Sequence, residues 1–260
     1  MIFDLHNDLA TSTLSASEQS LRLHDTAQTI FAFWSTELSD PFSFIESKIS
    51  AFGNALFAVE DLWFITEDTL PRLCALPLTY CGLTHNKRNS LAGGALEDAH
   101  LTPLGAKTVA SLERAGIVLD TAHLGKKSFY DVLDSTNHVI NSHTGLSSVC
   151  AHPRNLDFDQ VREILARGGI VGLTAVKDFI GGDTVGDYVH LIDTFVQTFG
   201  VDGACIGTDF YGTEPLQGLR TYDDFADVHY KLSNLGYTDS DIRKIFYQNA
   251  NDYFLNRREK

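Results

Sequence analysis

The stretch LTPLGAKTVASLERAGIVLDTAH, Leu101 to His123, decides the fold. Thr102 has the hydroxyl of a helix N-cap, Pro103 suits the first helical turn, and Gly116 provides a stop, so Pro103–Ala115 is expected to be a helix. Directly after the glycine comes Ile117–His123, a short, β-branched apolar run that reads as a buried strand and closes on a histidine. The same kind of unit recurs along the chain. Candidate strands are Ile2–Asp8, Thr29–Ser35, Ala55–Glu60, Leu78–His85, Ile117–His123, His138–His143, Ile170–Val176 and Ala204–Asp209. Helical patterns lie between them. Asp157–Arg167 carries Val161, Ile164 and Leu165 on one face, and Asp187–Phe199 carries Tyr188, Leu191, Ile192 and Phe195 in the same way. Alternating strands and helices imply a parallel sheet covered by helices. Eight strands point to an α/β protein of the (β/α)8 TIM-barrel kind, with extra C-terminal helices over Tyr222–Leu235 and Ser240–Leu255. An open doubly wound sheet is the alternative, but no glycine-rich phosphate loop follows the first strand.

The 260 residues are read as one domain spanning 1–260, and 43% hydrophobic residues supply a sizeable core. A formal net charge of −14 disfavours nucleic acid and anionic membrane surfaces, since both repel an acidic partner. The basic end, Arg257-Arg258-Glu259-Lys260, is too short to reverse this. Cys74, Cys81, Cys150 and Cys205 form neither a CxxC pair nor a dense framework, which fits a reducing compartment. With no charged-then-apolar leader and no bilayer-length apolar run, the expectation is a soluble cytoplasmic protein.

In a barrel, reactive groups gather at the C-terminal ends of the strands. Strand one ends in His6-Asn7-Asp8, strand three in Glu60, strand four in His85, strand five in His123, strand six in His143 and strand eight in Asp209. Taken singly, each is more often a hydrogen-bonded structural residue than a ligand. Metal-competent side chains closing six of eight strands need a common cause, because buried ionisable groups cost free energy unless paired or coordinated. A divalent cation is that cause. Residues i and i+2 of a strand face the same way, so His6 and Asp8 can share one metal while Phe3 and Leu5 pack outward. Imidazole with carboxylate suits Zn2+, with Mn2+, Co2+ and Fe2+ chemically allowed. Three histidines and two carboxylates exceed a single open tetrahedral site and fit two metals bridged by a carboxylate, with water between them.

Ordered motifs then mark a family. DLHNDLA at the start, FAFWS at Phe31–Ser35, GLTHNKRNSLAGG from Gly82, GIVLDTAHLG from Gly116, VINSHTGLSSVCAHPRNL from Val139 and GVDGACIGTDFYG from Gly200 together resemble the membrane (renal) dipeptidase family of zinc-dependent dipeptidases, across nearly the whole chain. The resemblance implies a binuclear zinc dipeptidase that attacks the peptide bond of a dipeptide with a hydroxide held between the metals. Position by position it implies His6 and Asp8 on one zinc, His123 and His143 on the other, and Glu60 as the bridge. It further implies His85 as a substrate-binding and catalytic donor to the oxyanion, Arg154 as the partner of the substrate's carboxylate, and Asp209 as the proton shuttle. A homodimer is also expected from it.

Three departures from the family bear on the substrate and leave the metal set whole, one of them a chain shorter than typical members with a compact stretch between Asp8 and Glu60. Glu60 is followed by Asp61-Leu62-Trp63 where members commonly have glycines, and the strand-seven region reads Leu173-Thr174-Ala175-Val176 in place of an Asn-Phe run with a pocket tyrosine. They motivate an alternative, a barrel amidohydrolase for an N-acyl amino acid, another small amide or a lactone; a non-catalytic relative is a third. Asp4 and Asp120 sit beside site residues as either supporting or structural groups, and Trp34 and Trp63 as either mouth or packing. His24, His100, His138, His152, His190 and His229 are read as surface or structural. Ser147 and Ser148 lack a G-x-S-x-G context, so a serine hydrolase has little support.

Overall fold

A computed structural model describes residues 1–9, 27–33, 39–52 and 55–255. Trp34, His24 and the basic end 257–260 lie outside the described residues. The strands are β1 (Ile2–Asn7), β2 (Ala27–Phe33), β3 (Leu56–Val59), β4 (Tyr80–Gly82), β5 (Val118–Asp120), β6 (Val139–Thr144), β7 (Val171–Leu173) and β8 (Ala204–Ile206). They follow chain order around a closed barrel, with parallel pairing between neighbours. This is the TIM-type barrel expected from the alternation of strands and helices. The chain divides into two compact units, one of residues 1–29 with 141–260 and the other of residues 30–140.

Each expected strand is present, but most stop short of the polar residue assigned to their ends. The cause is a repeated turn in which a side chain accepts a hydrogen bond from the backbone N–H two residues on, competing with the sheet ladder. Asn7 Oδ1 accepts from Leu9 N at 2.8 Å, and Asp120 Oδ1 from Ala122 N at 3.0 Å. Asp61 Oδ1, Thr174 Oγ1 and Thr208 Oγ1 do the same for Trp63, Val176 and Phe210. Glu60, His85, His123 and Asp209 therefore stand on loops just beyond β3, β4, β5 and β8, whereas His6 and His143 remain on β1 and β6. Asp120 is thereby explained: its carboxylate shapes the turn that ends β5.

In the unit of residues 1–29 and 141–260, Phe3 is fully buried and meets the rings of Tyr247 and Phe254 at 6.2 and 6.1 Å. Burial of a ring of that size stabilises by about 2–3 kcal/mol. The helix expected over Asp157–Arg167 spans Phe158–Ala166, because Asp157 and Gln160 form a reciprocal capping box. The helix expected from Asp187 begins at Val185, since Thr184 is the cap and Asp187 its reciprocal partner. The C-terminal helix expected as one rod is instead Asp239–Arg243, a π-helical turn over Lys244–Gln248, and Asn249–Phe254. The wider turn accompanies an anchor in which Asn249 Nδ2 donates to the carbonyls of Val201 and Ala204.

In the unit of residues 30–140, Phe33 stacks on Phe57 at 5.5 Å, and Val109 and Leu112 are buried on the helix Pro103–Arg114. Thr102 Oγ1 caps that helix by accepting from Gly105 N, and Gly116 leaves it at φ 74°, as its sequence requires.

Candidate metal centre

Backbone strain marks the candidate site before any chemistry is considered. Among the described residues, the non-glycine positions in the left-handed region are Asn86 (φ 60°), His123 (φ 64°), Asp209 (φ 61°) and Tyr211 (φ 70°). Each costs on the order of 1 kcal/mol, and such outliers collect where a side chain must be aimed. Two of the four are sequence-identified site residues, and the other two are close neighbours of site residues in sequence.

In the unit that holds β1, β6 and β8, the structure brings together His6, Asp8, His143, Arg154 and Asp209. The rings of His6 and His143 lie 3.9 Å apart. Ser142 Oγ reaches His143 Nδ1 at 2.9 Å and His6 Nδ1 at 3.4 Å, so one hydroxyl orients both imidazoles. His6 Nε2 is 3.8 Å from Asp8 Oδ2 and 4.0 Å from Asp209 Oδ1. One ligand atom from each of His6, Asp8 and Asp209 falls within 4.8 Å of the others, as a shared cation would require. Burial pushes the Asp209 carboxyl up to about 6, while a hydrogen bond with Asp8 and the positive Arg154 pull it down. Gly212 is required beside them: a Cβ there would stand 2.1 Å from Asp8 Oδ2 and 2.5 Å from Asp209 Oδ1.

Behind this group lies a buried carboxylate, Asp4. It accepts from Thr208 N at 2.8 Å, Thr208 Oγ1, Tyr222 Oη at 2.7 Å and His6 N at 3.3 Å. Burial raises its pKa and these donors oppose the rise. Tyr222 Oη accepts in turn from Asn7 Nδ2 at 2.8 Å. The arrangement ties β1 to the residue that precedes Asp209, so Asp4 is a supporting group for that strained backbone. Arg154 is buried, and its Nη2 donates to His143 Nε2 at 2.8 Å and to His143 O at 3.3 Å.

In the other unit, Glu60, His85 and His123 converge, with ligand atoms again within 4.8 Å of one another. His123 Nε2 is 2.7 Å from Glu60 Oε1, and the His85 and His123 rings are 4.3 Å apart. His123 Nδ1 bonds Asn86 Oδ1 at 2.9 Å. With the amide oxygen as acceptor, Nδ1 donates, and a cation between Nε2 and Glu60 Oε1 would stand where their 2.7 Å contact otherwise needs a proton. Asp61, pushed up to about 6 by burial, accepts from Asn89 Nδ2 at 3.0 Å and so braces the loop carrying His85 and Asn86. His85 is half-buried, and Trp63 is exposed and meets Phe64 edge-on at 5.9 Å.

The residues fit divalent metal. Both clusters mix imidazole with carboxylate, and their rings are oriented by Ser142 and Asn86. A cation at His143 Nε2 would take the place of the guanidinium bonded there. Sequence reasoning missed Ser142, Asn86, Thr208 and Tyr222. Asn86 lies inside a quoted motif, but its left-handed φ leaves no mark in the residue string. Tyr222 is 218 positions from Asp4, so no local signal could pair them.

A closed barrel with histidines and carboxylates at its rim is the architecture of metal-dependent hydrolases. The model of the membrane dipeptidase family, peptidase family M19, matches residues 54–251, and the chain belongs to that family. The matched stretch includes Glu60, His85, His123, His143, Arg154 and Asp209, while His6 and Asp8 precede it. An uncharacterized dipeptidase of Schizosaccharomyces pombe is 29% identical over 171 residues, 61% of this chain and 41% of that protein. The alignment thus spans less than half the length of this relative. Two solved structures share the fold closely. Dipeptidase AC, a metallo peptidase of family M19, superposes with TM-score 0.84 at 18% identity, covering 97% of both chains. A metallo peptidase from Rhodobacter sphaeroides, liganded with a phosphinate mimic of the dipeptide L-Ala-D-Ala, gives TM-score 0.83 at 18% identity over 97% of this chain and 98% of its own. An amidohydrolase from Pseudomonas aeruginosa follows at TM-score 0.73 and 21% identity, covering 98% of this chain and 96% of its own. Among the described residues, no helix is long and apolar enough to cross a membrane.

Proposed function

We propose that the protein is a binuclear zinc dipeptidase. Membership of family M19 together with two imidazole–carboxylate clusters carries this reading. His6 and Asp8 would hold one zinc and His123 and His143 the other, with Glu60 as a ligand to the pair. When bound, the pair lowers the pKa of water to about 7, which makes hydroxide available near neutral pH.

The remaining chemistry belongs to the chain. Arg154 pairs with the free carboxylate of the dipeptide, a planar two-pronged contact that selects short substrates. His85 donates to the oxygen that gains charge as the scissile carbonyl becomes tetrahedral. Asp209 accepts the proton released on attack and returns it to the leaving amine. Its raised pKa supports the role, since a carboxyl near 6 is able both to take and to give a proton close to neutral pH. A cytoplasmic setting, which the scattered cysteines favour, and a homodimer, which the family resemblance suggests, complete the proposal.

The test is turnover by the zinc-loaded chain on a dipeptide library that includes D-residues at the C-terminal position, run beside N-acyl amino acids and lactones. Dipeptide hydrolysis is expected. Turnover of N-acyl amino acids with none on dipeptides would replace this reading with the amidohydrolase suggested by Leu173–Val176, and inertness across the whole panel would leave a non-catalytic relative.

A further inference from the structure

We propose that Phe179 is the positioning residue for the carboxylate partner Arg154, and that its ring sets the preference for substrates with a free C-terminal carboxylate; this rests on the reading of Arg154 given above. An arginine side chain has many rotamers, and a buried one must be aimed by its surroundings. Two of the contacts of Arg154 set its aim here. One is the bond from Nη2 to His143 Nε2, which a cation on that nitrogen replaces. The other is the Phe179 ring, whose centroid lies 5.3 Å from the guanidinium carbon. The ring, unlike that bond, makes no use of the nitrogen a cation would take.

The place of Phe179 is itself built. It stands in the short helix Lys177–Ile180 that follows β7 and closes on Gly181 at φ 71°. Its carbonyl accepts from Asn155 Nδ2 at 2.7 Å, the same amide donates to Cys150 O at 2.8 Å, and Asn155 Oδ1 accepts from Gly145 N at 3.1 Å. A Cβ at Gly145 would stand 2.4 Å from the Phe179 carbonyl, so this close approach requires glycine. His152 meets the same ring at a tilt of 37°, with centroids 4.7 Å apart, and its Nδ1 accepts from Arg154 N at 3.2 Å. His152, Phe179 and Arg154 thus form one cluster that joins the β6 loop to the β7 loop. A guanidinium lying over a ring uses its face there, and its N–H groups point outward along its edge, where a carboxylate makes its paired contact.

The experiment compares the zinc-loaded wild type with Phe179→Leu and Phe179→Tyr on alanyl-alanine and on its C-terminal amide. Loss of the ring is expected to raise KM for the dipeptide roughly tenfold, the size of one partly desolvated cation–π contact, with kcat held within about twofold. The amide, which lacks the carboxylate, should show no change, and Phe179→Tyr, which keeps the ring face, should retain the wild-type KM. A purely structural role would instead lower kcat on both substrates and reduce the melting temperature. Unchanged KM in Phe179→Leu, an equal change on the amide, or an equal rise in Phe179→Tyr would overturn the inference while wild-type turnover keeps the dipeptidase reading intact. Wild-type inactivity on every dipeptide would overturn that reading and this inference with it.

Discussion

Thr208→Val removes one hydroxyl and keeps the shape of the side chain. That hydroxyl donates to the buried Asp4 carboxylate and accepts from Phe210 N at 3.1 Å. Asp4 keeps Thr208 N, Tyr222 Oη and His6 N, so the carboxylate is weakened, not abandoned. Loss of a hydrogen bond to a buried charged group costs about 1.5–3 kcal/mol, and loss of the turn bond to Phe210 adds about 1 kcal/mol. The expected sum is about 3 kcal/mol, which for a chain of this size lowers the melting temperature by roughly 6–12 °C. Thermal unfolding followed by circular dichroism measures it, with Thr208→Ser as control. Serine keeps both bonds and loses one methyl, about 1 kcal/mol. Because Thr208 precedes the strained Asp209, Thr208→Val should also depress kcat in the metal-loaded protein. A melting temperature equal to that of the wild type would refute the claim that Asp4 and Thr208 brace this rim.

Further outcomes follow from the same coordinates. Gly212→Ala places a methyl within 2.5 Å of carboxylate oxygens of both Asp8 and Asp209, so the pair must separate; zinc titration should show weakened binding, and unchanged affinity would contradict the packing. Asn86→Ala removes the acceptor that orients the His123 ring and should cost about 10–100-fold in zinc affinity, measured by competition with a chelating dye. The capping carboxylates Asp187 and Asp241 are held below the usual 3.8 first by their Thr184 and Thr238 hydroxyls. The folded state therefore binds fewer protons there than the unfolded chain. Their stabilisation is complete above 3.8 and is lost as pH falls through the lower folded values, so melting temperature should decline between about pH 5 and pH 2, less steeply in a Thr184→Val, Thr238→Val double variant.

Much of this organisation is legible in the residue string because it rests on local signals. Thr102, Pro103 and Gly116 delimit a helix without help from the rest of the chain, and the apolar runs at Ile2, Val118 and Ala204 are too short to be helices. The alternation of the two fixes the barrel. Where strands end is less legible, since Asn7, Asp120 and Thr208 each trade a ladder bond for a turn bond and look in sequence like ordinary strand residues. The same limit governs the site. Its histidines and carboxylates stand out through position and motif, whereas the groups that orient them are joined across long separations, as Ser142 is to His6 and Tyr222 to Asp4. His152 reads as an ordinary surface histidine in sequence, and only the fold shows it against Phe179 beside Arg154.

The most direct test of the account is a zinc titration of chelator-stripped protein, with dipeptide hydrolysis followed at each addition. Activity should be absent at the start, rise with added metal and level off at two zinc ions per chain. Full hydrolysis by the stripped chain, or a plateau reached at a single ion, would contradict the paired-metal centre.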